Sequence, residues 1–467
     1  VGNRDEAVKF FNQAVQAHND KTNPQHLQLS YQLFASACIQ DPTWSDAFYQ
    51  AGNNNSELNL WYTAIACWRK ALQTDQSNPT DRAKIYTNLA YRLHSIGRVR
   101  EAIECSNEAI KLDPKVEHAW TNLSLSYQML DQPQKSLECA REAWRLSPDD
   151  PITEMSVAFA ALFAREFEEA YVRFEARFPY KLRDYLQYPY AKWNGEPDKT
   201  VYLVADQGLG DTLSYARFLE AAAAKAKYIH ARIQPELYRL FQHSFSHIRN
   251  INWIPGLSVG ATGFPAADVW STFVSLPYVL KLTSEQVRNA PDIAVPPWTM
   301  PLSWKAPDAK FHIGVAWRGS QLNDIDRHRN LPLHLLFELC RVKGIQLYSL
   351  QVGEYSKEMH DIGGAPVMRD LTPYIRDVCD TVALLRDLDL VVTCESALGH
   401  ICAMAGKECW IPYSHMGRDY RIGLTGTDDD RIWTPRHRIF RQGEDLRWEP
   451  VFAEIVAALE ERVHGQA

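Results

Sequence analysis

No run of about 18 apolar residues occurs anywhere in the 467-residue sequence, so nothing in it reads as a membrane-spanning helix. The nine cysteines form no Cys-x-x-Cys pair, and an odd, dispersed set fits buried thiols in a reducing compartment better than a disulfide frame. A His-Glu-x-x-His motif, a Cys/His cluster and a Gly-x-Ser-x-Gly elbow are all missing, which leaves metal binding and serine-hydrolase chemistry without a motif. Basic charge is not in excess: 50 Lys and Arg face 57 Asp and Glu, a net charge of −7, which argues against a general nucleic-acid binder. Residues 1–11 lack the basic and apolar regions of a signal peptide, and with the thiols this sets the expectation of a cytoplasmic protein. What remains is an ordinary globular composition, long enough for about three domains.

The first part of the chain repeats itself. Ala83 to Pro114 and Glu117 to Pro148 align with shared landmarks at Asn88 and Asn122, Leu89 and Leu123, Ala109 and Ala143, and Pro114 and Pro148, each about 34 residues apart. Ala102, Ser136 and Ala170 keep the same step, so a third copy runs to about Phe178. The period, with small residues inside and Pro closing each unit, looks like tetratricopeptide repeats, each a pair of antiparallel helices. Asp46 to Leu72 reads as a looser copy and residues 5–42 are helical by periodicity, giving about four or five repeats with degenerate ends. Such arrays hold a peptide or protein in their concave face, and a spacer or dimerisation surface is the plainer alternative. Asn88 and Asn122 recur at one helical position. They could bond the backbone of a bound acceptor peptide, or equally satisfy the helix-turn frame.

The pattern fails after Pro179. Thr200 to Ala205 is a buried strand by its β-branched run, followed by a Gly-rich turn, Gly208-Leu209-Gly210-Asp211-Thr212, and a helix over 213–224. Strand, Gly-rich turn and helix open a Rossmann-like unit, although the motif is not a dinucleotide fingerprint. Strands are expected at 228–233, 252–254 and 269–273, then a Pro-rich connector at 291–307. A second set follows, with strands at 311–317, 345–350, 388–393 and 408–411 and helices at 333–342, 381–385, 397–405 and 450–463. The expected fold is α plus α/β: a repeat solenoid over 1–180, one Rossmann-like half over 181–300 and another over 301–467, with a final helix that has the option of crossing back. Ligands of such sheets sit outside the carboxyl ends of the strands, so the cleft between the halves is the expected site.

The later region resembles GT-B glycosyltransferases, particularly the bacterial heptosyltransferase-like group. The whole arrangement is similar to bacterial proteins that fuse tetratricopeptide repeats to such a domain, among them protein O-glycosyltransferases and flagellin glycosyltransferases. The residues that carry the resemblance are Gly208 to Leu213, Gly314 to Gly319, Arg327 to Leu333, and Thr393 to Ile401 with Ala405-Gly406-Lys407. Where the family has an Asp-Thr-Ser-x-x-His run, this chain has Cys394-Glu395-Ser396 and keeps His400.

The resemblance implies transfer of a sugar from a nucleotide-sugar donor, with no separate cofactor and no metal. It gives Asp211 the role of base toward an acceptor hydroxyl, although a carboxylate there also stabilises its own helix dipole. Gly208 and Gly210 let the backbone approach the donor. Arg318, Arg327 and Arg329 are expected to offset the diphosphate charge, with a loop salt-bridged to Asp324 and Asp326 as the alternative. Ser396 and Gly399 open a helix whose free N–H groups suit a diphosphate. Glu395 is expected on the ribose and His400 on the ligand. Asp428-Asp429-Asp430 reads as a solvated acidic turn. The expected function is transfer to a protein Ser or Thr hydroxyl presented by the repeats. The alternatives are a glycan or lipid-linked saccharide acceptor, or a repeat scaffold with an inactive transferase lobe.

Overall fold

The computed structural model describes residues 3–74, 79–178, 188–256, 263–319, 328–417, 419–422, 432–434 and 436–465. The chain divides into two compact units, Val1–Ala164 and Arg165–Ala467.

The first unit is an array of helices: α1 (Arg4–Asn19), α2 (His26–Gln40), α3 (Ser45–Glu57), α4 (Trp61–Thr74), α5 (Pro79–Ser95), α6 (Val99–Leu112), α7 (Glu117–Met129), α8 (Pro133–Leu146) and α9 (Pro151–Phe163). Each packs chiefly on its sequence neighbours. The seams are built from alanine. Ala14, Ala37, Ala64, Ala102, Ala109, Ala140 and Ala143 are wholly buried, which lets the backbones approach closely. At Gly52 even a methyl group is too large, because a Cβ would fall 2.4 Å from Trp68 Nε1. The turns share a left-handed residue: Asn59 (φ 60°), Gly97 (φ 82°), Asp131 (φ 55°) and Arg165 (φ 66°). The last three keep the step of about 34 residues, and a left-handed residue is what closes a helix end before a tight turn. Pro133 and Pro151 stand in the first turns of α8 and α9, where a missing N–H costs nothing.

The second unit holds two sheets, parallel throughout. The five-stranded sheet comprises β1 (Ala191–Lys192), β2 (Thr200–Val204), β3 (Tyr228–Ile233), β4 (Ile251–Pro255) and β5 (Val269–Thr272), in the order β1-β5-β2-β3-β4. Around it lie α10 (Phe167–Phe174), α11 (Leu209–Tyr215), α12 (Leu219–Lys225), α13 (Pro235–Ser244), α14 (Leu276–Val279) and α15 (Ser284–Arg288). The six-stranded sheet comprises β6 (Phe311–Ala316), β7 (Ile345–Ser349), β8 (Met368–Asp370), β9 (Leu390–Thr393), β10 (Cys409–Tyr413) and β11 (His437–Arg441), in the order β11-β10-β9-β6-β7-β8. Its helices are α16 (Leu333–Leu336), α17 (Glu358–Asp361), α18 (Val378–Asp387), α19 (Ala397–Met404) and α20 (Glu449–His464). Counted from its own first strand, this sheet runs 3-2-1-4-5-6, the doubly wound order. The smaller sheet repeats the 3-2-1-4 part and adds β1 at the far edge. The central strands read as near-continuous apolar runs because helices cover both faces: β9 is buried along its whole length, and β2 from its second residue.

The helix expected over 213–224 starts at Leu209 and is split by a 3-10 segment, Ala216–Phe218, and the structure departs from the sequence expectation in four further places. β1 and β8 are two and three residues long, too short to leave a pattern, and β11, His-Arg-Ile-Phe-Arg, carries three basic residues, so it does not read as a buried strand. The helix expected over 333–342 is one α turn followed by a 3-10 segment, Phe337–Arg341. The last helix does not cross back. Val451, Phe452, Ile455 and Leu459 of α20 lie in the core of the six-stranded sheet with Ile313, Val315 and Trp410. Finally, the break between units falls after Ala164 and not near residue 180. α10 packs on α14 and α15, and Arg177, almost wholly buried, donates to Asp206 Oδ2 (3.0 Å), Glu175 Oε1 (2.8 Å), Thr272 Oγ1 (2.9 Å) and Ser275 Oγ (2.7 Å). Burial would lower this guanidinium, but the Asp206 and Glu175 carboxylates push it up.

Candidate active site

The strand order of each sheet reverses once, between β2 and β5 in the smaller and between β6 and β9 in the larger. Side chains that follow these strands are therefore delivered to the carboxyl-end crevices where open α/β sheets bind ligands. After β2 come Asp206 and the Gly208–Asp211 turn, after β6 come Trp317 and Arg318, and after β9 come Cys394 to Ser396.

Asp211 stands in the first turn of α11, where its N–H donates to the Gly208 carbonyl (3.1 Å). α11 packs on α19 of the other sheet. Gly210 makes that approach possible, since a Cβ there would fall 2.6 Å from His400 Cδ2. Gly208 has no such demand: a Cβ would meet only Asp211 Oδ2, at 3.5 Å. His400 lies between the sheets, with Nδ1 3.3 Å from Ser214 Oγ and Nε2 3.3 Å from Asp419 Oδ2. Arg421 completes the arrangement. It holds Asp419 through Nε–Oδ1 (2.7 Å) and NH2–Oδ2 (2.6 Å), and reaches Asp211 Oδ1 with NH1 (2.9 Å). Burial alone would raise Asp419, but the Arg421 charge and the hydrogen bonds from His400 and Arg421 hold it well below the usual carboxylate range. Burial would lower Arg421, but Asp419 and Asp211 push it well up. The intervening Tyr420 is half-buried, with its hydroxyl 2.6 Å from that of Tyr215 and 3.4 Å from that of Tyr171. Burial raises all three phenols.

Ser214, His400 and Asp419 thus form a hydroxyl–imidazole–carboxylate chain. It does not make a nucleophile, because Ser214 Oγ donates to the Gly210 carbonyl within its own helix (2.8 Å).

The expected phosphate contacts fare differently. Arg318 is paired with Glu358 through Nε–Oε2 (3.0 Å) and NH2–Oε1 (2.6 Å) and lies over the Tyr355 ring. The backbone N–H groups of Trp317 and Arg318 both donate to Gln351 Oε1 (3.0 and 2.8 Å). The Arg318 charge that the sequence assigned to a diphosphate is engaged inside the protein. Arg327, Asp324, Asp326 and Asp428 to Asp430 lie outside the described residues. Arg329 and Glu395 are brought together at Gly417: a Cβ there would stand 3.8 Å from Arg329 Cβ and 3.1 Å from Glu395 Oε2. Ser396 is the N-cap of α19, yet its hydroxyl meets Thr393 Oγ1 (3.2 Å) and caps nothing. Gly399 is buried, its carbonyl accepting from His437 Nε2 (3.0 Å).

In the repeats, Asn88 Nδ2 donates to Asn53 Oδ1 (2.9 Å), and the buried Asn122 donates to the Thr87 carbonyl (2.9 Å). The recurring asparagines stitch one repeat to the next. Asp419, Arg421, Tyr420 and Arg177 were missed by sequence reasoning. For Asp419 and Arg421 a signal existed, because both follow β10 at its carboxyl end.

Among the described residues, no group of three His, Cys, Asp or Glu side chains could hold a metal ion, and no helix is long and apolar enough to cross a membrane.

Residues 83–116 match the family described as tetratricopeptide repeat. The first unit is a tetratricopeptide-repeat-like array, and such repeats mediate protein–protein interaction. Solved structures with a likeness to the chain include MamA from Desulfovibrio magneticus RS-1 (15% identity, 38% of this chain and 97% of that chain, TM-score 0.34). They also include PilF of Pseudomonas aeruginosa (22%, 37% and 76%, TM-score 0.32). A third is YrrB, described as a tetratricopeptide-repeat protein with an unusual peptide-binding site (15%, 39% and 90%, TM-score 0.31). No curated protein matches the chain.

Proposed function

We propose that the second unit is a GT-B glycosyltransferase that moves a sugar from a nucleotide-sugar to a protein Ser or Thr hydroxyl recruited by the repeat array. The observation that carries this reading is the placement of Asp211. It stands at the start of α11, beyond the carboxyl end of β2, and meets Arg421, which also holds Asp419. In the proposed reaction the Asp211 carboxylate takes the proton of the acceptor hydroxyl while the hydroxyl oxygen bonds to the anomeric carbon, and the bond from that carbon to the donor phosphate breaks, its electron pair leaving with the nucleotide. Arg421 orients that carboxylate from the facing side. The doubly wound order of the six-stranded sheet supports a nucleotide at its β6–β9 switch point, within reach of the loops that bear Arg318 and Glu395.

The test is a thermal-shift panel of UDP, GDP, CDP, ADP, CMP and their sugar conjugates, with Asp211→Asn as the comparison. One nucleotide should stabilise both proteins, while transfer from its sugar conjugate should fall about 10²–10⁴-fold in the variant. Stabilisation by none of them sinks the transferase reading. Transfer to glycans but not to proteins would reassign the acceptor.

A second reading has its own support. Arg318 is neutralised by Glu358 and the neighbouring amides are taken by Gln351, as expected of a repeat scaffold whose transferase lobe is inactive. It predicts no donor turnover, with Asp211→Asn altering stability alone.

A further inference from the structure

The first repeat contains a cavity of about 270 Å³ between α1, α2 and α3, and its lining divides by chemistry. One wall is apolar, made by Val15 and Phe34. The other carries His18, Asn53, Asn54 and Glu57, with neither Lys nor Arg anywhere in the lining. Asn54 is 1% exposed. Its Nδ2 meets Ser30 Oγ (2.6 Å), the Leu27 carbonyl (3.3 Å) and His18 Nδ1 (3.5 Å), and the carbonyl contact fixes the amide orientation, leaving Oδ1 buried with no protein donor. Asn53 Oδ1 is already shared by Trp68 Nε1 and Asn88 Nδ2. Glu57 is half exposed, and its partner in the lining is His18 Nε2 at 3.3 Å, an imidazole that is charged only when protonated.

We infer that this cavity takes a lysine or arginine side chain of the partner protein. An orphan buried oxygen and a carboxylate whose partner in the lining is an imidazole suit a ligand rich in donors and without acceptors, which describes an ammonium or guanidinium. The apolar wall suits the methylene stem that such a side chain carries. A neutral amide would satisfy Asn54 but not Glu57, and an acidic side chain would be repelled. The inference rests on the reading that the array binds a partner peptide, and it names the chemistry that array selects.

An array of degenerate peptides, each with one fixed central residue, tests it against the full-length protein. Spots with central Lys or Arg should exceed those with central Gln or norleucine by about tenfold. Glu57→Gln, at a half-exposed position, should erase that difference, and Glu57→Lys should shift the preference to Asp and Glu. Equal signals, a preference for other residues, or a preference that survives Glu57→Gln overturns the inference. A silent array overturns it as well. In that event nucleotide-induced stabilisation of the same protein, measured separately, shows whether the transferase reading stands.

Discussion

At Arg421 one guanidinium serves two carboxylates, Asp419 beside it in the chain and Asp211 on the other sheet. Removing it strands a buried charge. Arg421→Met is expected to destabilise by about 3–5 kcal/mol, read from urea unfolding, and adding Asp419→Asn should recover part of that loss. If the single variant unfolds like the parent, the network is not the tie described. The two glycines of the α11 turn separate by the same reasoning. Gly210→Ala drives a methyl group into the His400 ring and should cost about 1–3 kcal/mol. Gly208→Ala meets an ordinary contact and should stay within about 0.5 kcal/mol. In the array, Asn122→Ala removes the side-chain donor that ties α7 to the Thr87 carbonyl of α5, a loss of about 0.5–1.5 kcal/mol. A residue that served only a bound peptide would leave stability unchanged.

At the scale of elements, α13 and α18 join the two sheets by a clamp. Arg239 NH2 reaches Asp377 Oδ1 (2.7 Å) and Asp380 Oδ1 (2.6 Å), while Asp377 also caps α18 by accepting from Cys379 N (2.8 Å). Burial would raise Asp380, but hydrogen bonds from Arg376 and Arg239 hold it at about 2. A carboxylate held below its unfolded value, about 3.9, adds stability that is complete above that value and is lost as the pH falls toward the folded one. Melting temperatures measured from about pH 6 to pH 2 should therefore drop most steeply below about pH 4. Asp380→Asn should lower the neutral-pH value and flatten that acid limb, and an unchanged limb would assign the acid sensitivity elsewhere.

For the whole molecule, the division after Ala164 predicts how the chain can be cut. A fragment of residues 165–467 should unfold cooperatively by circular dichroism. A fragment of residues 181–467 lacks Arg177, leaves Asp206 buried and unpaired, and should not. Equal behaviour of the two would move the boundary back toward residue 180. The repeats were legible in the sequence because each copy spends the same small residues on the same crossings. The central strands were legible because burial on both faces leaves apolar runs. Asp211 could be placed by the strand-end rule. The rest depends on partners distant in the chain. Glu358 cancels Arg318 from across the β7 loop, Arg421 meets Asp211 after 210 intervening steps, and Arg177 belongs to the sheets although it closes a segment written in repeat language. That last feature bears on how such a chain could have been assembled. A recombination event at the sequence border of the repeats would remove a buried guanidinium from its neighbours. A new array could therefore be exchanged for the old one without injury only if the crossover fell one helix earlier, in the turn at Arg165.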